Sequence, residues 1–93
     1  MKIEIRETGN KGSAIALEYD RKVGEMTYSK ADEHLMIIDH TEVDPAFGGK
    51  GLGQELLMTL VNMAREKKIK IIPLCPFANA QFKKQKDIQD VLK

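Results

Sequence analysis

The amino-terminal part of the chain alternates apolar and polar side chains with a period of two, which predicts β-strands joined by short turns. Ile3 and Ile5 alternate with charged neighbours in the first strand, and residues 9–12 form a glycine-containing turn. Residues 13–19 and 23–28 predict two further strands, and the tight connection between them indicates a β-hairpin.

The longest predicted strand spans residues 34–44 and follows a polar turn predicted at residues 29–33. Residues 35–38 are continuously apolar, which favours a central strand covered on both faces. Residues 39–43 are polar, which is unusual in a central strand. Their polarity indicates either a functional site or a solvated strand end.

The clearest helix is predicted at residues 51–67, because apolar residues recur there at a spacing of 3.6 and form one broad stripe. The stripe comprises Leu52, Leu56, Leu57, Leu60, Val61, Met63 and Ala64. An isoleucine-rich run at residues 69–74 then predicts a buried strand. Residues 77–86 predict a short amphipathic helix, and residues 87–93 a last turn.

The lengths of the connections predict the topology. Strands joined by short turns run antiparallel, whereas the strand–helix–strand unit at residues 35–74 predicts a right-handed parallel crossover. We therefore predict a mixed α+β and α/β fold: a mostly antiparallel sheet of about five strands, one right-handed β-α-β crossover and a short carboxy-terminal helix. The 93 residues suit one domain, residues 1–93.

Four glycines, Gly48, Gly49, Gly51 and Gly53, lie close together between the predicted strand and helix. Glycine permits positive φ angles and lets a ligand approach the backbone closely. The free N–H groups of the turn and of the first helical turn, with the helix dipole, favour a pyrophosphate. Lys50 could pair with a phosphate. The alternative is an ordinary connection, although so many glycines cost chain entropy.

Two better-known phosphate-binding patterns do not fit this turn. The Walker A pattern requires Ser or Thr after Gly-Lys, and here Gly51 follows Gly49-Lys50. The spacing of the dinucleotide fingerprint G-x-G-x-x-G is not met either. A further hypothesis is a nucleotide-binding protein, which would bind ATP or GTP at this turn.

Residues 43–53, Val-Asp-Pro-Ala-Phe-Gly-Gly-Lys-Gly-Leu-Gly, resemble motif A of the GNAT N-acetyltransferase superfamily. That motif is a strand ending in Val, a turn of pattern Arg/Gln-x-x-Gly-x-Gly/Ala and a helix. Gly51 and Gly53 match its small positions, and Gly48 stands where the family usually has Arg or Gln. His-Thr-Glu-Val at residues 40–43 and Cys-Pro at residues 75–76 resemble motifs that recur in a minimal, single-domain subgroup of this superfamily.

The resemblance implies that acetyl-CoA is the cofactor. The backbone near Glu42 and Val43 would bind the pantetheine arm, and Asn79 and Phe82 of the short helix would face the cofactor. The pyrophosphate would be held by the backbone of Gly48, Gly49, Lys50, Gly51, Leu52 and Gly53. The lysine-rich residues 83–86 are either a solvated helix end or a contact with the 3′-phosphate.

Acetyl transfer to an amine requires a base for the amine and an acid for the departing thiolate. By the resemblance, Cys75 lies near the cofactor and is the acid, a nucleophile or a buried structural thiol. His40 is a candidate base oriented by Glu42 or Asp39, or else a histidine that bonds to a nearby backbone group. Many GNAT members use a late tyrosine as acid, but both tyrosines of this chain come early.

The resemblance thus implies an N-acetyltransferase acting on an unidentified amine, carried by a small molecule or a protein. The alternative is a module that binds CoA or acyl-CoA without efficient catalysis. Two His and one Cys at unrelated spacings predict no metal site. A thin core leaves both a monomer and a homodimer open.

Composition excludes other partners. The net charge is +1, from 15 basic and 14 acidic residues, so no overall field draws the protein to nucleic acid or anionic lipid. No apolar run approaches the roughly 20 residues of a membrane span. A single cysteine without an export signal favours a cytoplasmic location.

Overall fold

A five-stranded sheet forms the framework of the protein in a computed structural model that describes residues 1–93. The strands are β1 (Lys2–Thr8), β2 (Lys11–Glu18), β3 (Arg21–Asp32), β4 (Leu35–Val43) and β5 (Lys70–Pro73). The helices are α1 (Leu52–Lys67) and α2 (Pro76–Lys84), with 3₁₀ segments at Pro45–Phe47 and Lys86–Val91. The strands follow their sequence order across the sheet.

The first four strands pair antiparallel, and β4 pairs with β5 in parallel after the chain crosses over through α1. The predicted mixed fold with a mostly antiparallel sheet is therefore confirmed. Helix α1 begins one residue after its predicted start and ends at the predicted residue, because its apolar stripe packs on the sheet.

Strand β3 is longer than predicted, and the polar turn predicted at residues 29–33 is wrong. Ser29 and Lys30 pair with Ile37 and Met36 of β4, and the N–H of Lys30 also donates to the Asn10 carbonyl at 2.7 Å. These backbone bonds offset the low strand propensity of the polar side chains, which lie at the surface. The turn shrinks to Glu33 and His34.

Only one face of the sheet is covered by helices. In β4, Met36 and Ile38 are fully buried, whereas Leu35 and Ile37 are half-buried. Both helices and the carboxy-terminal 3₁₀ segment contribute to one core with the buried sheet residues. The expectation of a β4 covered on both faces is therefore wrong, since no helix packs against the second face.

The carboxy-terminal segment is attached to α1 and to the outer edge of β5. Arg65 donates two hydrogen bonds to the Asp90 carboxylate, both at 2.9 Å, and a third to the Asp87 carbonyl at 2.7 Å. Leu92 forms a parallel bridge with Ile71 of β5. These contacts cover a strand edge that would otherwise be unpaired.

Candidate functional site

A cleft of about 490 Å³ opens beside the end of β4, between the turn at residues 48–53, which we call the glycine turn, and α2. It is lined by Thr41, Val43, Phe47, Gly48, Gly49, Gly51, Leu52, Gly53, Gln54, Phe77 and Gln81. Three segments that are distant in sequence therefore meet here: the end of β4, the turn into α1 and the first two turns of α2.

The glycine turn presents a row of unused backbone donors. The N–H of Gly48 donates to the Pro45 carbonyl at 3.2 Å, and the first bond of α1 runs from the Glu55 N–H to the Gly51 carbonyl at 3.0 Å. Between them, the N–H groups of residues 49–54 have no hydrogen-bond partner in the chain. Together with the positive end of the α1 dipole, these donors suit an anion such as a pyrophosphate.

Three of the four glycines of this turn are needed, for different reasons. Gly49 and Gly51 have φ angles of +74° and +78°, which disfavour any side chain, although space is open around both. At Gly53 a Cβ would lie 2.9 Å from Cζ of Phe77, so this glycine lets α2 approach α1. Gly48 has φ −65°, which any residue adopts, so its backbone would accept the Arg or Gln usual at this position.

Asp44 fixes the entry to the turn. Its carboxylate accepts the N–H of Ala46 at 2.9 Å and pairs with Arg21 at 3.1 Å. The hydrogen bond from the Ala46 N–H is the main reason that the pKa of Asp44 is lowered, and Arg21 lowers this pKa further. The Lys50 ammonium lies 5.7 Å from the centre of the Phe47 ring, and Lys50 does not line the cleft.

A β-bulge controls which side chains of β4 face the cleft. Tyr28 of β3 pairs with Ile38 and Thr27 pairs with His40, so Asp39 is skipped in the backbone register, although its carboxylate accepts a hydrogen bond from the Ser29 hydroxyl at 2.8 Å. The alternation of side chains is shifted by this extra residue. Thr41 then lines the cleft, as Val43 does two residues later.

His40 and Glu42 alternate with these residues and lie outside the cleft. Their side chains are 66% and 74% exposed, and His40 Nε2 lies 3.2 Å from Glu42 Oε1. The predicted histidine–carboxylate pair is thus formed. It lies on the side of β4 opposite Thr41 and Val43, at the surface.

Cys75 lies at the amino-terminal cap of α2 and is 3% exposed. Its Sγ is 3.0 Å from the Thr41 hydroxyl, and its N–H donates to the Ile38 carbonyl at 3.1 Å. The thiol is therefore held against the bulged end of β4, next to a residue that lines the cleft. Thr41, which sequence reasoning missed, lies beside the thiol in place of His40.

Helix α2 is rotated relative to the sequence-based expectation. Phe82 is 1% exposed in the core with Ala78, so the prediction that Phe82 faces the cofactor is corrected by the structure. Phe77 and Gln81 line the cleft instead. Asn79 is half-buried outside the cleft lining, and its side-chain amide donates to the Pro73 carbonyl at 3.4 Å.

The phase of α2 follows from its buried positions. Ala78 and Phe82 are four residues apart and make one stripe against the core, which leaves Phe77 and Gln81, with the same spacing, on the neighbouring face. The missed pair was visible in the sequence as a second stripe. Which stripe is buried depends on how α2 meets α1 at Gly53.

No group of three or more His, Cys, Asp or Glu side chains is arranged to hold a metal ion. None of the helices combines the length and the apolar character that crossing a membrane requires.

Residues 13–91 match a family model described as GCN5-related N-acetyl-transferase. Among solved structures, the chain is similar to a GCN5-like protein from Staphylococcus aureus, with 37% identity and a TM-score of 0.72 over 97% of this chain and 87% of that chain. A search of curated proteins found no significant match.

Two other similar structures contain CoA species. A Mycobacterium tuberculosis protein in complex with CoA is 25% identical, with a TM-score of 0.58 over 66% of this chain and 39% of that chain. A GNAT family acetyltransferase from Elizabethkingia anophelis with acetyl-CoA bound is 18% identical, with a TM-score of 0.64 over 84% of this chain and 52% of that chain. The latter likeness shows a shared fold.

Proposed function

Because the chain belongs to the GCN5-related N-acetyltransferase (GNAT) family, and membership of this family indicates acyl transfer as the general activity, we propose that it transfers an acetyl group from acetyl-CoA to an amine. The observation that carries the proposal is the row of unpartnered N–H groups at residues 49–54, which borders a cleft of about 490 Å³. Donors in this arrangement fit the pyrophosphate of CoA.

The end of β4 offers a second set of backbone groups for the pantetheine arm. Pairing between β4 and β5 stops at Ile38 and Pro73, so residues 39–43 have no strand partner on that side. An extended amide chain can add to such an edge as a strand does. We therefore place the pantetheine arm along Glu42 and Val43, and the acyl group near Thr41 and Cys75.

Acetyl-CoA, when bound, supplies the acyl thioester. Cys75 holds a proton at Sγ close to the proposed position of the thiolate, and the Thr41 hydroxyl keeps that thiol in place at 3.0 Å. His40 lies on the other side of β4, where Glu42 orients its ring. In this scheme His40 accepts the proton of the amine from the open face, and Cys75 donates one from the side of the cleft.

The test of cofactor binding is a calorimetric titration of CoA into the wild-type protein and two matched glycine variants. Gly51→Ala strains a turn residue at φ +78°, and Gly9→Ala strains a remote turn at φ +64° with equally open surroundings. Each should lower the free energy of unfolding by roughly 1–2 kcal/mol. Only Gly51→Ala should weaken CoA binding, because only that turn would hold the pyrophosphate.

Absence of CoA binding by the wild-type protein would overturn the proposal, and so would equal CoA affinity in the two variants. Binding of ATP in place of CoA would favour the nucleotide-binding hypothesis. The second candidate function, a CoA-binding module without efficient catalysis, is supported by the strong burial of the Cys75 thiol. It predicts CoA binding without release of CoA from acetyl-CoA in the presence of amines.

The acceptor reaches the site from the uncovered face of the sheet in this proposal. His40 and Glu42 are exposed there, and no helix restricts access to them. Such a surface admits a bulky acceptor, including an amine on a peptide or protein. We also propose that the protein works in the cytoplasm, where its single buried cysteine stays reduced.

A further inference from the structure

Three glutamine side chains connect the two walls of the cleft, and we call them the amide cluster: Gln54, Gln81 and Gln85. Gln54 lies in the first turn of α1, Gln81 lies in α2 and Gln85 caps the end of α2. Gln54 and Gln85 form a reciprocal pair in which each Nε2 donates to the other Oε1 at 2.8 Å. The Nε2 of Gln85 also donates to the Gln81 Oε1 at 2.7 Å.

These bonds determine which atoms Gln81 offers to the cleft. Its Oε1 is occupied by Gln85, whereas its Nε2, which carries two N–H donors, has no partner in the chain. Gln81 lines the cleft and Gln85 does not. Gln85 therefore influences the cleft only through the side chains that it holds.

Reversing all three amides would preserve the same number of hydrogen bonds. The Gln85 oxygen would then accept from Gln54 and Gln81, and Gln81 would present its own oxygen to the cleft. The observed arrangement offers donors, as the N–H groups of residues 49–54 do. The phosphate and carbonyl oxygens of CoA accept hydrogen bonds, so the observed arrangement complements those oxygens, whereas the reversed one would set the Gln81 oxygen against them.

We propose that Gln85 is a positioning residue, which orients the side-chain amide of Gln81 so that its N–H donors meet acceptor oxygens of bound CoA. This inference rests on the proposed function, because it requires CoA to occupy the cleft. It assigns a role in cofactor affinity to a residue that does not itself line the cleft.

The test compares the affinity for CoA of the wild-type protein with that of Gln85→Glu, Gln85→Met and Gln81→Met. A carboxylate only accepts hydrogen bonds, so Gln85→Glu attracts the N–H groups of Gln54 and Gln81 and reverses the Gln81 amide. We expect it to weaken CoA binding about tenfold or more. Gln85→Met keeps the length but makes no such bonds, and should cost about two- to fivefold.

The added negative charge of Gln85→Glu could also repel the CoA phosphates directly, so the same change is made in the Gln81→Met background. If Gln85 acts through Gln81, the tenfold loss should shrink to less than about twofold there. An undiminished loss in that background would overturn the proposal. Gln81→Met alone, which keeps the neutral Gln85, is the reference for this double variant.

A purely structural role gives a different result. It would lower the melting temperature of the position 85 variants and leave the CoA affinity of the folded protein unchanged, which contradicts the proposal. If the wild-type protein binds CoA and every variant binds equally well, the inference fails and the proposed function stands. If the wild-type protein binds no CoA, both fail together.

Discussion

Asp39 is left out of the backbone register between β3 and β4, and this one extra residue decides which side chain of β4 reaches Cys75. Without the bulge, strict alternation would continue from Ile38 and turn His40 towards the helices. The bulge gives that place to Thr41 and leaves His40 beside Glu42 at the surface. Acid and base candidates therefore lie on opposite sides of one strand.

This arrangement gives a prediction for Cys75 and Thr41. Cys75→Ala should lower the rate of CoA release from acetyl-CoA by about a hundredfold and change CoA affinity by less than about twofold, because only the proton donor is lost. Thr41→Val removes the hydroxyl but keeps the shape of the side chain, and should lower the same rate about tenfold. Both are measured by thiol detection with a panel of amines.

A nucleophilic Cys75 would give a different product. Wild-type protein mixed with acetyl-CoA without an amine would then gain one acetyl group at Cys75, visible by mass spectrometry. Unchanged turnover in Cys75→Ala would assign the thiol a structural role. His40→Ala serves as the companion variant, since it removes the candidate base and leaves Cys75 and Thr41 in place.

At the scale of elements, α1 ends in an unfavourable backbone conformation. Lys68 has φ 57° and ψ 46°, and the chain closes the helix with a bond from the Ile69 N–H to the Ala64 carbonyl at 2.8 Å. Glycine usually takes this position, because a side chain there costs about 1 kcal/mol or more. Lys68 lies at the opposite end of α1 from the cleft.

Lys68→Gly should therefore stabilise the protein by roughly 0.5–1 kcal/mol, measured as the free energy of unfolding in urea. Lys67→Gly is the matched control. It removes the same kind of side chain within the helix and should destabilise the protein by about 1 kcal/mol. Equal effects of the two changes would contradict this explanation.

Elements with one dominant pattern were predictable from the sequence. The leucine-rich stripe of α1 allows only one face of the helix to be buried, so the sequence predicted the ends of this helix to within one residue. Helix α2 carries two stripes, and the sequence does not say which one packs on the core. The bulge at Asp39 was also hidden, because it depends on the register of β3 against β4.

At the scale of the whole molecule, ion pairs join segments that are far apart in sequence. Arg65 holds Asp90 of the carboxy-terminal segment, and this contact lowers the pKa of Asp90. On the other side, Tyr28 donates to Glu7 of β1 and Lys30 pairs with the same carboxylate. The Tyr28 bond is the main reason that the pKa of Glu7 is lowered.

These lowered pKa values give the sign of the pH dependence. A carboxyl whose pKa is lower in the folded state stabilises the protein above its unfolded pKa of about 4, and that contribution is lost as pH falls through the folded value. The melting temperature should therefore be nearly constant from about pH 7 to 5 and fall below about pH 4. Asp90→Asn should have a shallower fall, recorded by circular dichroism.

The close approach of Gly53 to the Phe77 ring has an evolutionary consequence. A Cβ at position 53 would lie 2.9 Å from the ring, so a larger residue at position 53 requires the ring to shift or to be replaced by a smaller side chain. A lineage that acquires alanine at position 53 is expected to acquire a smaller residue at position 77 as well. The two positions should thus drift as a pair, and with them the width of the cleft between α1 and α2.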